Sequence, residues 1–287
     1  MTQTPFVLVS NRGPVTFSDD GEITRGGGGL VTALTGLVSH RKAVWIASAM
    51  SDGDIKRARE ADGHPFSVKS PLGGEYEVRL VDSDAEAFDR FYNIFANPML
   101  WFIQHYLWDI SNAPDVRQWE IDAFELGYKV VNDDLAQAVI EEIDDQEDPV
   151  VMVHDYHLYT LPGIVRAARP DVFLHHFIHI PWPQSDAWRV LPAEIRDELY
   201  AGLLANDIIG FHTQAYRRNF IQCCRDLLDL EVDFERGLVH YNGREIWIRA
   251  YPLPIDAEAT EKVGSSPRTL ELEAELEYPL VGGIRPG

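Results

Sequence analysis

Hydrophobic residues in this chain fall into short continuous runs that stop at polar residues. Five runs have the length of β-strands: Phe6–Ser10, Ala43–Ala47, Val150–Val153, Phe173–Ile178 and Asp207–Phe211. Continuous runs of this kind are typical of buried parallel strands that are covered on both faces of a sheet. The pattern therefore predicts an α/β fold in which strands and helices alternate along the chain.

Helical periodicity occupies much of the sequence between these runs. Six apolar residues recur at spacings of three and four, which predicts one helical stripe facing the sheet: Ile121, Phe124, Tyr128, Val131, Leu135 and Val139. Further helices are predicted over Leu30–Val38, Leu161–Arg169 and Pro192–Leu204, and over a segment that Thr213 caps and that ends at Leu228.

Two further strands have different surroundings. Glu75–Leu80 alternates between polar and apolar residues after a turn-rich segment, which predicts a half-exposed strand in a peripheral hairpin. Ile246–Ala250 is predicted as the last strand of the sheet.

Composition narrows the classes of function. The chain has 287 residues, 45% of them hydrophobic, and a formal net charge of -21, which argues against a nucleic-acid partner because phosphate contacts need a positive face. The two cysteines, Cys223 and Cys224, are adjacent and are predicted to pack as reduced, apolar side chains, which favours a cytoplasmic location. No targeting or membrane segment is visible, so no membrane partner is expected.

Candidate chemistry lies where predicted strands end. His154-Asp155-Tyr156-His157 follows one strand, and His179-Ile180-Pro181-Trp182-Pro183 follows the next. Because parallel strands deliver polar groups to a crevice at their carboxyl ends, both segments are predicted to converge on one site. Asp155 would bind sugar hydroxyls through charge-assisted hydrogen bonds, or would instead cap the next helix.

A second candidate is the loop after the first strand. Arg12 precedes a glycine run at Gly26–Gly29, where backbone N–H groups and a helix N-terminus would meet a phosphate without steric hindrance. A flexible surface turn is the alternative interpretation. The spacing matches neither a dinucleotide-binding motif nor a P-loop.

Aromatic and histidine clusters each allow two interpretations. The segment Phe91–Trp101 is rich in aromatic residues that suit either the apolar face of a sugar or the core. Six histidines raise the possibility of a metallohydrolase: His154, His157, His175, His176, His179 and His212. However, His176 points away from His175 and His179 on a strand, and the familiar ligand spacings are missing, so we predict no metal site.

These motifs, together with three longer segments, resemble the N-terminal half of the trehalose-6-phosphate synthase family. The longer segments are Trp188–Arg196, Gly202–Thr213 and Tyr216–Phe220, and the ordered set covers most of residues 6–256. The resemblance implies a Rossmann-like parallel sheet with helices on both faces, the N-terminal domain of a GT-B glycosyltransferase. On this basis residues 1–256 form an acceptor-binding domain, and residues 257–287 begin a linker or C-terminal donor domain that is truncated.

The resemblance also implies an activity and assigns roles. The family transfers glucose, with retention, from a nucleoside diphosphate glucose such as UDP-glucose to glucose 6-phosphate, without a cofactor or a protein nucleophile. Arg12 would contact the acceptor phosphate, while Tyr92 and Trp101 would contact the acceptor sugar. The remaining assignments are Asp155 to acceptor hydroxyls, Gly28 and Gly29 to the donor diphosphate, and His179 to the transferred glucose, with Asp155 and His179 as the catalytic pair.

Two departures from the family pattern leave alternatives open. Ser48 stands where family members commonly carry a second tryptophan, so a synthase with another sugar-phosphate acceptor is an alternative. The groups that the family's C-terminal domain supplies for the nucleotide are expected near and beyond Val281, so this chain alone is predicted to have little or no transferase activity. An inactive sugar-phosphate binding module is therefore a third interpretation, and a homo-oligomer is left open.

Overall fold

The computed structural model of the chain describes residues 6–27, 31, 34, 43–69, 75–108, 115–253 and 257–277. By its internal packing the chain divides into two compact units, Met1–Tyr251 and Pro252–Gly287. The second unit holds two helices, Ala257–Gly264 and Pro267–Glu277. The assignment of residues 1–256 and 257–287 to an acceptor domain and the start of a donor domain remains a prediction.

The first unit is built on one large sheet. Within the described ranges this sheet has ten strands, which are numbered along the chain and lie in the order β10-β11-β12-β9-β8-β7-β1-β4-β6-β5. Strands β12 through β6 in this order all run parallel, while β5, β10 and β11 pair antiparallel at the two edges. The strands of this sheet are β1 Phe6–Ser10, β4 Ala43–Ser48, β5 Phe66–Lys69, β6 Glu75–Val81, β7 Val150–His154, β8 Phe173–Ile178, β9 Ile208–Phe211, β10 Val232–Asp233, β11 Leu238–Tyr241 and β12 Arg244–Ala250.

Helices connect the strands, and a two-stranded sheet of β2 Val15–Phe17 and β3 Ile23–Arg25 follows β1. Among the described residues, the helices of this unit with defined bounds are α1 Asp52–Glu60, α2 Ala85–Asp89, a π-helix Arg90–Trp101, α3 Phe102–Gln104, α4 Gln118–Ala123, a π-helical segment Phe124–Tyr128, α5 Lys129–Glu142, a 3-10 turn Tyr156–Leu158, α6 Leu161–Ala168, α7 Ser185–Trp188, α8 Ala193–Leu203 and α9 Gln214–Leu228.

Alternate residues of the central strand β1 belong to different cores. Val7 and Val9 pack in a large cluster with residues of α5, α8 and α9, whereas Leu8 packs in a second cluster with Trp45 and Val78. Because side chains alternate across a strand, these clusters cover opposite faces of the sheet. The predicted Rossmann-like sheet with apolar cover on both faces is therefore confirmed.

Most predicted elements are present with small shifts at their ends. The strands Phe6–Ser10 and Phe173–Ile178 have the predicted bounds, and Glu75–Val81 forms the expected edge hairpin with β5. Of the predicted helix Leu30–Val38, Val31 and Leu34 are helical and buried, and the other residues lie outside the described residues. Among the helices within the described ranges, none combines the length and apolar character that crossing a bilayer requires.

Candidate active site

Four neighbouring strands end at the same edge of the sheet and are followed by polar residues. The strands β1, β7, β8 and β9 are adjacent and parallel. Their last residues are Ser10, His154, Ile178 and Phe211, respectively. Parallel strands present their following loops along one edge. Arg12, Asp155, His179 and His212 consequently follow neighbouring strands at this edge.

Arg12 is held by its backbone and by one side chain. The Ser10 hydroxyl donates to the Arg12 carbonyl oxygen at 2.7 Å and accepts from Nε1 of Trp45 at 2.8 Å. Nη2 of Arg12 donates to the Tyr92 hydroxyl at 2.8 Å. Arg12 is exposed, and no carboxylate in the described ranges forms an ion pair with it. Its positive charge therefore remains available to an anion.

Tyr92 is fixed between two flat rings. Its ring stacks on Phe88, with centroids 5.9 Å apart and planes at 9°, and on His157, at 5.9 Å and 12°. Burial, followed by the positive charge of Arg12, lowers the pKa of His157 to about 3. His157 is therefore neutral and adds no charge beside Arg12. Tyr92 lies on the π-helix Arg90–Trp101, a rare type of helix that often occurs at functional sites.

Asp155 adopts a backbone conformation that is unusual for a residue other than glycine, with φ of 71°. Three contacts hold it there. Its N–H donates to the Phe177 carbonyl at 2.8 Å, its carbonyl accepts from Nε2 of His176 at 2.9 Å, and its Oδ1 accepts from the His179 N–H at 3.2 Å. Strain that the surroundings hold in place in this way is common at binding and catalytic sites.

The carboxyl group of Asp155 is also electrostatically unusual. Burial raises its pKa to about 7, and hydrogen bonds from the backbone N–H groups of His179, Tyr156 and Ile180 oppose this rise. Near neutral pH the carboxyl group is therefore close to its midpoint of ionisation. A group in this condition becomes fully charged when a ligand supplies further hydrogen-bond donors.

His179 lies among other imidazole rings. Its Nε2 is 3.1 Å from Nδ1 of His154, and its ring packs edge-on against His212 with centroids 5.4 Å apart. Burial lowers the pKa of His179 to about 3, with smaller contributions from His212 and His176. His179 is therefore a neutral, half-buried imidazole. Its ring contacts those of His154 and His212.

The contacts join the predicted residues in two pairs. Arg12 bonds Tyr92, and Asp155 bonds the backbone of His179. The pairs are linked because His157, which stacks on Tyr92, lies two residues after Asp155. Four of the seven predicted residues thus belong to one contiguous arrangement.

Of the other three predicted residues, the structure describes only Trp101. Trp101 is half-buried and stacks on His105 with centroids 4.0 Å apart, nine residues beyond Tyr92. Gly28 and Gly29 lie outside the described residues. Just before them, a Cβ atom added at Gly27 would lie 3.8 Å from Nη1 of Arg12. Gly27, the second residue of the glycine run, therefore lies beside the Arg12 guanidinium.

Sequence analysis did not identify several residues that build the site. His154 and His157 were considered only as members of a motif and as possible metal ligands, and neither was assigned a role in the sugar site. Asn11 and Ser48 are each 2% exposed, and their side-chain polar atoms have no hydrogen-bond partner. Their backbones are joined by a bond of 3.2 Å from the Ser48 N–H to the Asn11 carbonyl. The signals for this pair were the position of Ser48 in the family pattern and that of Asn11, directly before Arg12 and after the first strand.

The histidines contact one another and carbonyl oxygens. Across the residues that the structure describes, no group of three or more His, Cys, Asp or Glu side chains is placed to hold a metal ion. Burial raises the pKa of the Cys223 thiol to about 11, so this side chain is not an activated nucleophile. The chemistry of the site is therefore a cation beside a phenol, a carboxyl group at its midpoint and a neutral imidazole. These groups suit a phosphorylated polyol.

Comparison with proteins of known sequence places the chain in a family. Residues 4–283 match the model of glycosyltransferase family 20. Validamine 7-phosphate valienyltransferase of Streptomyces hygroscopicus subsp. jinggangensis (strain 5008) is 33% identical over 283 residues, which are 94% of this chain and 53% of that protein. A UDP-forming alpha,alpha-trehalose-phosphate synthase of Aspergillus niger is 34% identical over 287 residues, which are 96% of this chain and 51% of that protein. The chain thus spans about half the length of the curated relatives that it matches.

Solved structures agree on the fold. The E. coli protein solved with bound UDP-2-fluoro glucose superposes with a TM-score of 0.72 at 24% identity, over 96% of this chain and 55% of that one. The N-terminal domain of the trehalose-6-phosphate phosphatase of Candida albicans gives a TM-score of 0.69 at 22% identity, over 96% of this chain and 54% of that one. At these identities the likeness concerns the fold alone, whereas the family match extends over nearly the whole chain. The chain therefore belongs to glycosyltransferase family 20.

Proposed function

We propose that this chain is the acceptor-binding part of a retaining glycosyltransferase that transfers glucose from a nucleoside diphosphate glucose to glucose 6-phosphate. The observation that supports this proposal most directly is the exposed Arg12 guanidinium, which is oriented by Tyr92 and has no carboxylate partner among the described residues. In a chain of net charge -21, an unpaired arginine at a strand end is well suited to a phosphate group. UDP is the proposed nucleotide, because the A. niger relative is a UDP-forming enzyme.

Each side chain then has a physical role. Arg12 binds the acceptor phosphate through charge-assisted hydrogen bonds. Asp155 accepts hydrogen bonds from acceptor hydroxyls, and the donors that they supply favour its charged form. The positioning of the acceptor hydroxyl against the anomeric carbon accounts for much of the rate enhancement, since fixed geometry replaces a bimolecular encounter.

The leaving group requires a separate part of the site. Negative charge builds on the nucleotide diphosphate as its bond to glucose breaks, so N–H groups directed at it lower the barrier. We assign this role to the backbone of Gly28 and Gly29, next to the position where Gly27 approaches Arg12. The leaving phosphate takes the proton of the acceptor hydroxyl, so no protein nucleophile is assigned.

A second acceptor is supported by a specific observation. By the family resemblance, Ser48 stands where a tryptophan is common, and here it is a small buried residue. The Streptomyces relative is a validamine 7-phosphate valienyltransferase. Validamine 7-phosphate and glucose 6-phosphate both carry the phosphate that Arg12 would bind. Competition between these two compounds for the chain distinguishes the two acceptors.

Location and partners are part of the same proposal. Both cysteines are buried and unpaired by a disulfide, which accords with a cytoplasmic protein. The partners are small phosphorylated molecules, and the net negative charge disfavours nucleic acid. Sedimentation analysis would decide whether the chain forms a homo-oligomer.

Calorimetric titration with glucose 6-phosphate tests the proposal. We expect binding in the millimolar range or tighter, and we expect Arg12→Ala to weaken it about tenfold or more, since a hydrogen bond to a charged group is lost. Unphosphorylated glucose should bind the wild-type chain and Arg12→Ala with equal affinity. Arg57→Ala, at a surface arginine paired with Glu60, is the matched control and should change neither affinity. Equal losses for glucose and glucose 6-phosphate in Arg12→Ala would refute the assigned role of Arg12.

A further inference from the structure

His154 and His179 share a single hydrogen bond between ring nitrogens. Nδ1 of His154 and Nε2 of His179 are 3.1 Å apart. Both rings are neutral near pH 7, because burial lowers the pKa of each, that of His179 to about 3. A neutral imidazole carries its proton on one nitrogen only, so one of the two facing atoms is the donor and the other is the acceptor.

The surroundings of His154 decide which atom is the donor. His154 is 3% exposed, and its other nitrogen, Nε2, is buried and has no hydrogen-bond partner in the described part of the chain. If Nε2 carried the proton, a buried N–H group would have no acceptor, which is rare in folded proteins and costlier than a bare lone pair. The proton of His154 is therefore on Nδ1 and is donated to Nε2 of His179.

This arrangement determines the state of the second ring. Since Nε2 of His179 is the acceptor, the proton of His179 must be on Nδ1. His179 is half-buried, and Nδ1 has no hydrogen-bond partner among the described residues. We infer that His154 is a positioning residue that fixes His179 in the Nδ1–H tautomer, so that His179 offers its ligand a hydrogen-bond donor.

The chemical consequence concerns the class of ligand atom. A fixed N–H group binds a hydroxyl, ether or phosphate oxygen, and it disfavours a ligand that presents only a donor. With the reverse tautomer, His179 would present a lone pair and would select the opposite kind of atom. That this oxygen belongs to the transferred glucose rests on the proposed function. The tautomer itself does not depend on that function.

Nuclear magnetic resonance of the unligated chain tests the tautomer directly. With ¹⁵N in the histidine rings, long-range proton–nitrogen correlations show which nitrogen of each neutral ring is protonated. We expect His154 and His179 to be protonated at Nδ1. His176 is an internal reference, because its Nε2 faces the carbonyl oxygen of Asp155 and must carry the proton. Detection of His179 protonated at Nε2 would overturn the inference.

Two substitutions separate positioning from packing. His154→Asn keeps an N–H donor close to the position of Nδ1, and His179 should remain protonated at Nδ1. His154→Leu keeps an apolar side chain of similar bulk but removes the donor, so the Nδ1–H tautomer of His179 should no longer be exclusive, because the hydrogen bond that selects it is lost. The resonances of His176 report whether each variant is folded. If His179 has the same tautomer in both variants, His154 does not fix it.

Titration with UDP-glucose and with UDP tests whether the tautomer of His179 affects ligand affinity. We expect His154→Leu to weaken UDP-glucose binding about fivefold, the value of one neutral hydrogen bond, and His154→Asn to restore it. UDP, which lacks the glucosyl group, should bind all three proteins equally. If the wild-type chain has the Nδ1–H tautomer but does not distinguish UDP-glucose from UDP, the positioning role stands and the proposed contact of His179 with the transferred glucose is wrong.

Discussion

Arg12 donates a hydrogen bond of 2.8 Å to the hydroxyl of Tyr92, a residue 80 positions further along the chain. Tyr92 is itself held between the rings of Phe88 and His157. The guanidinium is thus attached to a rigid aromatic stack, although Arg12 is exposed. A cation that is oriented before its ligand arrives loses less conformational entropy on binding.

Tyr92→Phe tests this orientation. The phenyl ring retains the stacking on Phe88 and His157, and only the hydroxyl that holds Arg12 is lost. We expect glucose 6-phosphate binding to weaken about threefold to tenfold, less than in Arg12→Ala, because the charge remains but must be ordered on binding. Calorimetric titration measures the effect, and the melting temperature should hardly change because the bond is exposed. A loss as large as that of Arg12→Ala would mean that Tyr92 contacts the ligand itself.

Ser10 and Ser48 are two buried serines, and their replacement by alanine is expected to change the free energy of unfolding differently. The Ser10 hydroxyl accepts from Nε1 of Trp45 and donates to the Arg12 carbonyl, so Ser10→Ala leaves a buried N–H group without a partner. We expect this change to lower the free energy of unfolding by about 1–3 kcal/mol. The Ser48 hydroxyl has no partner, so Ser48→Ala should be neutral or stabilising by up to about 1 kcal/mol.

Urea unfolding of the two alanine variants measures both effects under the same conditions. Each change removes one hydroxyl at the end of a neighbouring strand, so each variant is the control for the other. Ser10→Ala should also weaken glucose 6-phosphate binding, since it releases the Arg12 backbone. A clear destabilisation by Ser48→Ala would show that its hydroxyl has a partner in solution.

The strand ends of this site were predictable because their signals are local. Runs of apolar residues that stop at His154-Asp155 or at His179 indicate both the strand and the polar group that follows it. Parallel pairing then brings the groups together, since β7 and β8 are adjacent. The sheet and two of the candidate residues therefore follow from short-range patterns and one general rule of topology.

The aromatic part of the site depends on packing that the sequence does not show. Tyr92 lies on a π-helix, and the segment was predicted only as aromatic, either sugar-binding or core. Phe91 and Phe95 are fully buried, while Tyr92 is half-buried and bonds Arg12. The core interpretation thus holds for Phe91 and Phe95, and sugar contact by Tyr92 stays a prediction. Which residues face Arg12 depends on the wide helical turn, and ordinary periodicity does not predict that turn.

Asp155→Asn should reveal how much ionisation of the buried Asp155 carboxyl group lowers the free energy of unfolding. Its pKa is about 7 in the folded protein and about 3.9 in the unfolded chain, so the fold favours the protonated form. The stabilisation from this group is complete below about pH 4 and is lost as the pH rises to about 7. Asparagine has no charge and tolerates a positive φ, so it keeps the backbone conformation without the electrostatic cost.

The stability of Asp155→Asn relative to wild type should therefore increase with pH. We expect a relative gain of up to about 1.4 kcal/mol per pH unit between pH 5 and 7, measured by urea unfolding at several pH values. The buried histidines are common to both proteins and largely cancel in the difference. The variant should also lose affinity for glucose 6-phosphate, since an acceptor of hydrogen bonds is weakened. A difference in stability that does not vary with pH would show that Asp155 titrates normally.

Gly202 and Gly163 lie on the facing helices α8 and α6, and they should respond differently to alanine. A Cβ atom at Gly202 would collide with the Tyr159 carbonyl oxygen and would lie 2.7 Å from Cα of Thr160. A Cβ atom at Gly163 would be no closer than 3.4 Å to Cα of Gly202, an ordinary contact. Gly163→Ala should therefore be tolerated, with a gain of up to about 1 kcal/mol from helix propensity.

Gly202→Ala should lower the free energy of unfolding by about 1–3 kcal/mol or more, because backbone must move to admit the methyl group. The displaced segment, Tyr159-Thr160, follows Asp155 and His157 in the chain, so sugar-phosphate binding should weaken as well. Urea unfolding and titration with glucose 6-phosphate measure the two effects, with Gly163→Ala as the control on the opposite helix. If Gly202→Ala matched Gly163→Ala in stability and affinity, the close approach of α8 to the loop after Asp155 would not constrain the site.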